Sequence, residues 1–433
     1  MHPASDDTRV EMIGHASIRI RSGGRTLLVD PWYVDPIDCN ATHHWPPLVH
    51  EVSELAADAD ALWISHVHPD HLDERTLAQF PRGIPVYIGR YANDGFRARL
   101  EGLGLNVHVL GFQEPTRLPD TDFEVCLLES DYGESAAYDS SIVVRTPDFT
   151  VFDNNDCFLH EDKYRWVRER YRVDYGFLGY SPASYYPVCF EFAPEEKARL
   201  LREASERRYD DFLEVARILQ PGLAIPFAMG IRFLHPSMLW QNVQFNRTQE
   251  AVRRARAAGL VAESMAPGDR IGADGVLVRR APPMTEAGED AALLAHAASR
   301  REWIESVWAN EPPARPGLVE AFGAWMTALW RASHERFPDV RGTVIAFRID
   351  GPQGGELHFD FSREPGDIFV PGPAPRFDMR YAYPDRLLQR RLDGAIDWDE
   401  LHFSNRVSVL QHRYAAAYYT MLRSPENSAL APA

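Results

Sequence analysis

The chain has 433 residues, 45% of them hydrophobic and 25% charged, and a formal net charge of −17. That length exceeds one ordinary core and predicts two domains or one large one. No apolar run approaches the roughly 20 residues of a bilayer-spanning helix, and the negative charge argues against nucleic acid or an acidic membrane surface as a partner.

The first residues, MHPASDDTRVEM, hold no basic segment followed by an apolar stretch, so export is not expected and a cytoplasmic location is. Two strand-like runs follow, VEMIGHASIRIRS and RTLLVDPW, with Gly23-Gly24 between them as a hairpin turn. ADALWISHVHPDHLDERTLAQF passes from an apolar strand, Ala61 to Ser65, through a polar turn into a helix. Further strands are expected at PVYIG, NVHVLGF, FEVCLLES, SSIVVRT and TVFDNND, then a long helix at PEEKARLLREASERRYDDFLEVARILQ and a strand at GLAIPFA. Strands and helices thus alternate in an α/β order compatible with a sheet sandwich covered by helices. GVLVRRAPPMTEAGED, rich in Pro, Gly and charge, reads as a linker. The seam is expected near residue 280, with domains over 8–280 and 285–425. The second should open with helices at Ala291 to Asn310 and Gly317 to Phe337. Strands at GTVIAFRI, ELHFDFS and RFDMRYAY follow, then helical segments around PDRLLQRRL and WDELHF, a smaller α+β unit. Trp325, Trp330 and Tyr418 are expected in its core. Cys39, Cys126, Cys157 and Cys189 lie far apart without a metal-type spacing and are expected to be reduced, mostly buried thiols.

The chemistry sits in Ser65-His66-Val67-His68-Pro69-Asp70-His71, directly after a buried strand. Imidazoles at His66 and His68 leave the strand end able to converge on one metal, and the turn can bring Asp70 and His71 to a second. Three histidines and an aspartate within six residues are far more than a polar loop requires.

These residues, with Gly14-His15-Ala16 and LLVDP at Leu27 to Pro31, resemble the metallo-β-lactamase superfamily, whose H-x-H-x-D-H stretch holds metals. More narrowly the chain is similar to the CMP-N-acetylneuraminate hydroxylase family, through DPWYVDP, ALWISHVHPDHLDERTL, IPVYIGRY, Asn155 to Cys157, IPFAMGIRFLHP and AIDWDELHFSNRV. The resemblance implies an αββα sandwich followed by a module resembling small sterol carriers. That family also has a Rieske iron–sulfur module, whose Cys-x-His and Cys-x-x-His pairs this sequence lacks, so any electrons are expected from a separate donor. By the same resemblance Asp156 would bridge the metals, with Asp153 as a competitor, and His235 would be the last histidine. The superfamily's upstream histidine has no counterpart between His108 and His160. Glu134 lies where the resemblance places it, with Glu129 and Asp131 as alternatives, and a carboxylate there resembles the diiron β-hydroxylases of this fold. Oxygen-rich ligands favour iron or manganese over zinc, so two metal ions, iron first, are expected.

Asp70 and Asp156 would be the catalytic carboxylates. Asp30 is either a partner that orients a ligand imidazole or a turn closer, and His15 reads as a packed structural residue. The stretch Tyr175 to Pro182 aligns with a loop facing the metals. Two chemistries follow: diiron oxygenation of a small polar metabolite, placed first, and two-metal hydrolysis of an ester, amide, lactone or phosphodiester.

Overall fold

The computed structural model describes residues 8–131, 138–413 and 415–423. In chain order the first unit contains β1 (Arg9–Gly14), β2 (Ser17–Ser22), β3 (Arg25–Val29), β4 (Thr42–His44), α1 (Val52–Asp58), β5 (Ala61–Trp63), α2 (Glu74–Leu77), β6 (Pro85–Gly89), α3 (Gly95–Gly102) and β7 (Asn106–Leu110). It continues with β8 (Thr116–Arg117), β9 (Glu124–Glu129), β10 (Ser140–Arg145), β11 (Thr150–Asp153), α4 (Glu161–Arg170), β12 (Tyr175–Gly179), α5 (Pro194–Leu219), β13 (Leu223–Phe227), β14 (Ile231–Phe233), α6 (Thr248–Ala257), β15 (Arg270–Gly272) and β16 (Leu277–Val278).

An eight-stranded sheet has the order β16-β15-β1-β2-β3-β5-β6-β7, and a six-stranded sheet the order β13-β12-β11-β10-β9-β8. One core, including Ile18, Trp63, Phe123, Val144 and Phe177, lies between them. A second, with Leu62, Leu77, Phe96 and Leu100, joins the larger sheet to α1, α2 and α3. A third, with Phe152, Val167, Phe212 and Ala255, joins the smaller sheet to α4, α5 and α6. The result is the expected αββα sandwich. In α5, Pro194 opens the helix and Gln220 ends it in a left-handed cap, while Tyr209, Phe212, Ala216 and Leu219 recur at helical spacing and are buried.

VEMIGHASIRIRS departs from expectation. It is not one strand: the backbone turns at His15, φ 47°, so that Gly14 pairs with Ser17 and β1 and β2 form a hairpin. That turn points His15 off the sheet end. Gly23-Gly24, both at positive φ, makes the expected second turn between β2 and β3.

The linker reading needs correction. Leu277–Val278 pairs with β15 as an edge strand, and Thr285 caps a helix starting at Glu286, α7 (Glu286–Ala309). Ala297 and Ile304 of α7 pack on Leu234, placing this helix against the first unit. The core beyond it belongs to α8 (Leu318–Ser333), β17 (Val344–Asp350), β18 (Gly355–Asp360), β19 (Phe369–Pro371), β20 (Met379–Pro384), α9 (Asp385–Leu392), α10 (Trp398–Phe403), β21 (Ser408–Gln411) and α11 (Ala416–Arg423). Its sheet runs β19-β18-β17-β20-β21, with the unforeseen short strands at the edges. Trp325, Trp330 and Tyr418 are buried there, as are Tyr185, Val188 and Phe190 from the first unit, which interlock the two. At the seam Arg406 pairs with the buried Glu311, stacks on Trp308 and donates to the Cys39 carbonyl of the first unit at 2.8 Å. Among the described residues no helix is long and apolar enough to cross a membrane, and all four cysteines are buried and unpaired.

Candidate metal centre

β5 lies between β3 and β6, parallel to both and buried on both faces, which explains its unbroken apolar sequence. The parallel pairing sets Asp30, just past β3 with φ 43°, beside the end of β5. The Ser65 backbone N–H and hydroxyl both donate to Asp30, each at 2.7 Å, and His71 Nδ1 lies 2.7 Å from the same carboxylate. A carboxylate only accepts, so His71 Nδ1 carries a proton. Having given its proton to Asp30, the Ser65 hydroxyl accepts from His66 Nδ1 at 2.8 Å. Asp30 therefore fixes both rings with Nε2 as a free electron pair, the state a metal ligand needs. Burial pushes the Asp30 carboxyl up, opposed by His71 and Ser65.

The free nitrogens converge. His66 Nε2 lies 2.8 Å from His68 Nδ1 and 3.8 Å from Asp156 Oδ1; His71 Nε2 lies 3.5 Å from Asp156 Oδ1 and 3.7 Å from Asp70 Oδ2. Three donor groups result: His66, His68 and Asp70; His66, His71 and Asp156; His15, Asp70 and His71. His66, His68, Asp70, His71 and Asp156 are thus brought together, with Asp156 facing two histidines. The Nε2 atoms of His68 and His71 are buried without a hydrogen-bond partner. With its proton on Nδ1, neutral His71 would aim an electron pair at two carboxylates, an arrangement only a positive charge makes favourable. Burial alone would lower this imidazole, yet Asp156, Asp70 and Asp30 hold it well above the usual range. Asp70 goes the opposite way: burial raises it, but His71 and His15 bring it well below. A divalent cation would supply that charge in place of a proton, so the residues fit a metal site.

Asp156 prevails over Asp153 because of the turn between them. Asn155, φ 42°, donates from its side chain to the Ser140 carbonyl and accepts the Cys157 N–H, which presents Asp156 to the histidines. Asp153 is buried in the sheet, receives the Asn155 N–H, and is held well above its usual range by burial and then Asp30. Glu134 lies outside the described residues. Of its alternatives, Asp131 is bound at 2.7 Å by Lys163 and by the His160 N–H, and Glu129 is exposed; neither joins the donor groups.

His235 is a correction. β14 pairs with β4 and carries the chain toward α7, where the His235 ring stacks on Trp308 with centroids 3.8 Å apart and bonds Ser237 at 2.7 Å. It belongs to the domain seam and to none of the donor groups. His15 is there instead, its Nε2 3.1 Å from Asp70 Oδ2. Asp139 also escaped the sequence reading. It precedes β10 with Oδ1 buried, unpartnered and 3.6 Å from His66 Nδ1, and burial and then Asp156 raise it well above the usual range. Its only sequence signal is an acid placed just before an apolar strand.

A cavity of about 550 Å³ opens over the centre, lined among others by His66, His68, Asp139, Asp156, Tyr180 and Phe403. A smaller one of about 70 Å³ shares His68, Asp156 and Phe403 and adds Asp38, Asp70 and Asn405. Phe403, on α10 of the second unit, meets the His68 ring edge-to-face at 5.4 Å. From the stretch Tyr175 to Pro182, Leu178, Gly179, Tyr180 and Ser181 line the large cavity, whereas Tyr175 and Phe177 pack between the sheets.

Residues 9–141 match the model of the beta-lactamase superfamily domain. The chain is similar to the cytidine monophosphate-N-acetylneuraminic acid hydroxylase of Mus musculus, 26% identical over 246 residues, which cover 54% of this chain and 41% of that protein. It therefore spans less than half the length of that relative. Solved structures similar to it include CmlA, a diiron beta-hydroxylase from Streptomyces venezuelae, at 21% identity and TM-score 0.45 over 64% of this chain and 55% of that one. Another is Igni18, a metallo hydrolase from Ignicoccus hospitalis, at 14% identity and TM-score 0.43 over 63% of this chain and 99% of that one. The resemblance read from the motif is thus shown by the domain match and the hydroxylase homologues.

Proposed function

We propose that this chain is a dinuclear metal-dependent oxygenase that hydroxylates or otherwise oxidises a small polar metabolite, drawing electrons from an external donor. The observation that carries the metal centre is the His71 ring, fixed by Asp30 with its free nitrogen toward Asp156 and Asp70. His66 and His68 would hold one ion, Asp70 and His71 the other, and Asp156 would bridge. Bound iron, reduced from outside, would supply the activation of dioxygen. The donors, three histidines with Asp70 and Asp156 and the half-buried Asp139 close by, form a mixed nitrogen and oxygen set that iron accepts. The similarity to a hydroxylase over 54% of the chain supports the same choice. Asp30 and Ser65 hold the ligand rings, while Phe403 and Tyr180 wall the cavity and limit water around a bound substrate.

Hydrolysis is the competing chemistry, since the same donors could lower the pKa of a metal-bound water. Metal analysis of protein produced with iron available, together with oxygen uptake in the presence of a reductant, separates the two. About two irons per chain and reductant-dependent oxygen consumption are expected. Stoichiometric zinc without iron, with unaided ester cleavage, would overturn the oxygenase reading.

A further inference from the structure

His15 lies in one of the three donor groups, which leaves two roles open to it: a ligand of the second cation, or a hydrogen-bond donor to one of its ligands. The two roles need opposite tautomers. A ligating Nε2 offers an electron pair and leaves the proton on Nδ1, whereas a donating Nε2 carries the proton and leaves Nδ1 as an acceptor.

The backbone decides between them. The Gly230 N–H donates to His15 Nδ1 at 3.2 Å, and a proton on Nδ1 would meet this N–H head on. Nδ1 is therefore the acceptor and Nε2 carries the hydrogen; this buried nitrogen lies 3.1 Å from Asp70 Oδ2, its nearest acidic oxygen, in a contact not yet aligned as a hydrogen bond, and a small shift of the carboxylate would align it. The contact is built into the fold. His15 occupies the turn between β1 and β2 at positive φ, and the loop after β13 turns back through Ala228, φ 57°. A Cβ on Gly230 would fall 2.6 Å from the His15 nitrogen and 2.7 Å from its Cα, so the two backbones approach this closely only because residue 230 is glycine. The ring is 6% exposed and lies edge-on to both Trp32 and His71, which leaves little room to turn it over.

We propose that His15 is a positioning residue that donates from Nε2 to Asp70, orienting this carboxylate for the second cation without binding the cation itself. The inference rests on the dinuclear reading above. The protein ligands of the second cation would then be Asp70, His71 and Asp156. Oriented carboxylates and their partners typically set metal affinity over about 10–100-fold.

Two measurements test this. In metal-free protein labelled with [15N]histidine, long-range 1H–15N correlation, assigned by loss of the signal in His15→Gln, should show protonated Nε2 and unprotonated Nδ1. The reverse tautomer would overturn the proposal without touching the dinuclear reading. In titrations with Co2+ alone, wild-type protein should take up two ions. His15→Ala should also take up two, with the second about 10–100-fold weaker, and His15→Gln, whose amide can still donate, should recover most of that loss. Uptake of one ion by both variants would make His15 a ligand, and wild-type affinity in His15→Ala would leave it no role at the centre; either result overturns the proposal. Failure of wild-type protein to take up two ions would overturn the dinuclear reading and, with it, this role.

Discussion

Asp30→Asn probes the hydrogen-bond frame behind the candidate metal ligands most directly. Asp30 is 1% exposed and accepts three bonds, from Ser65 N, Ser65 Oγ and His71 Nδ1, each at 2.7 Å. Asparagine keeps the shape but offers one accepting oxygen and an NH2 group. With its oxygen on Ser65 N, the amide nitrogen faces the Ser65 hydroxyl and the His71 Nδ1–H. The hydroxyl can rotate; the imidazole has to move its proton to Nε2, the atom that would bind metal. Loss of such a partner costs typically about 10–100-fold in metal affinity, or about 1.4–2.8 kcal/mol. Because Ser65 Oγ also holds His66, both cations should weaken, the one at His71 more. The metal-free fold should suffer less, since the amide removes a charge that burial disfavours and leaves one unsatisfied donor, about 1–3 kcal/mol. Chelator competition with Zn2+ reads the affinities, and urea unfolding of the metal-free protein reads the fold. Wild-type affinity at both positions in a folded Asp30→Asn protein would refute the tautomer reasoning.

Acid should weaken the contact between β4 and α7 through His43. This ring is 1% exposed, has no hydrogen-bond partner on either nitrogen and meets Trp303 edge-on; burial, partly opposed by Asp35, lowers it to about 4. Since its folded value lies below the unfolded value of about 6.5, the unfolded chain binds the proton first, and stability should fall by roughly 3 kcal/mol between pH 6.5 and pH 4. His43→Leu should remove that part of the pH dependence, and an unchanged unfolding profile would count against it. At the domain seam, Glu311→Ala removes the carboxylate from the half-buried Arg406, which pairs with Glu311 through Nη2 at 2.9 Å and would keep only the Cys39 carbonyl. About 3–5 kcal/mol of unfolding free energy should be lost, and a loss under about 1 kcal/mol in urea titration would show that the pair does not seal the seam.

The four-residue kernel of the site was legible because it is local. His66, His68, Asp70 and His71 sit within six positions after a short buried strand, so their convergence depends on one strand end and one turn. The alternation of strands and helices likewise exposed the sandwich, since burial on one or two faces leaves its period in the residues. The His15 hairpin was misread because a β-rich run reads the same whether it continues or doubles back.

The order of imidazoles and carboxylates along the chain by itself pointed to a candidate metal centre after β5, and the apolar periodicities determined the layers that carry it. Only the tertiary structure decided what surrounds that centre. Parallel pairing of β3 with β5 set Asp30 behind His71, the close approach of Gly230 brought His15 to Asp70, and α10 placed Phe403 against His68. It also removed His235, whose ring stacks on Trp308 in the seam, a contact that local spacing could not show. Contacts between residues tens to hundreds of positions apart arise from sheet register and domain packing, and these leave no period in the sequence from which to read them.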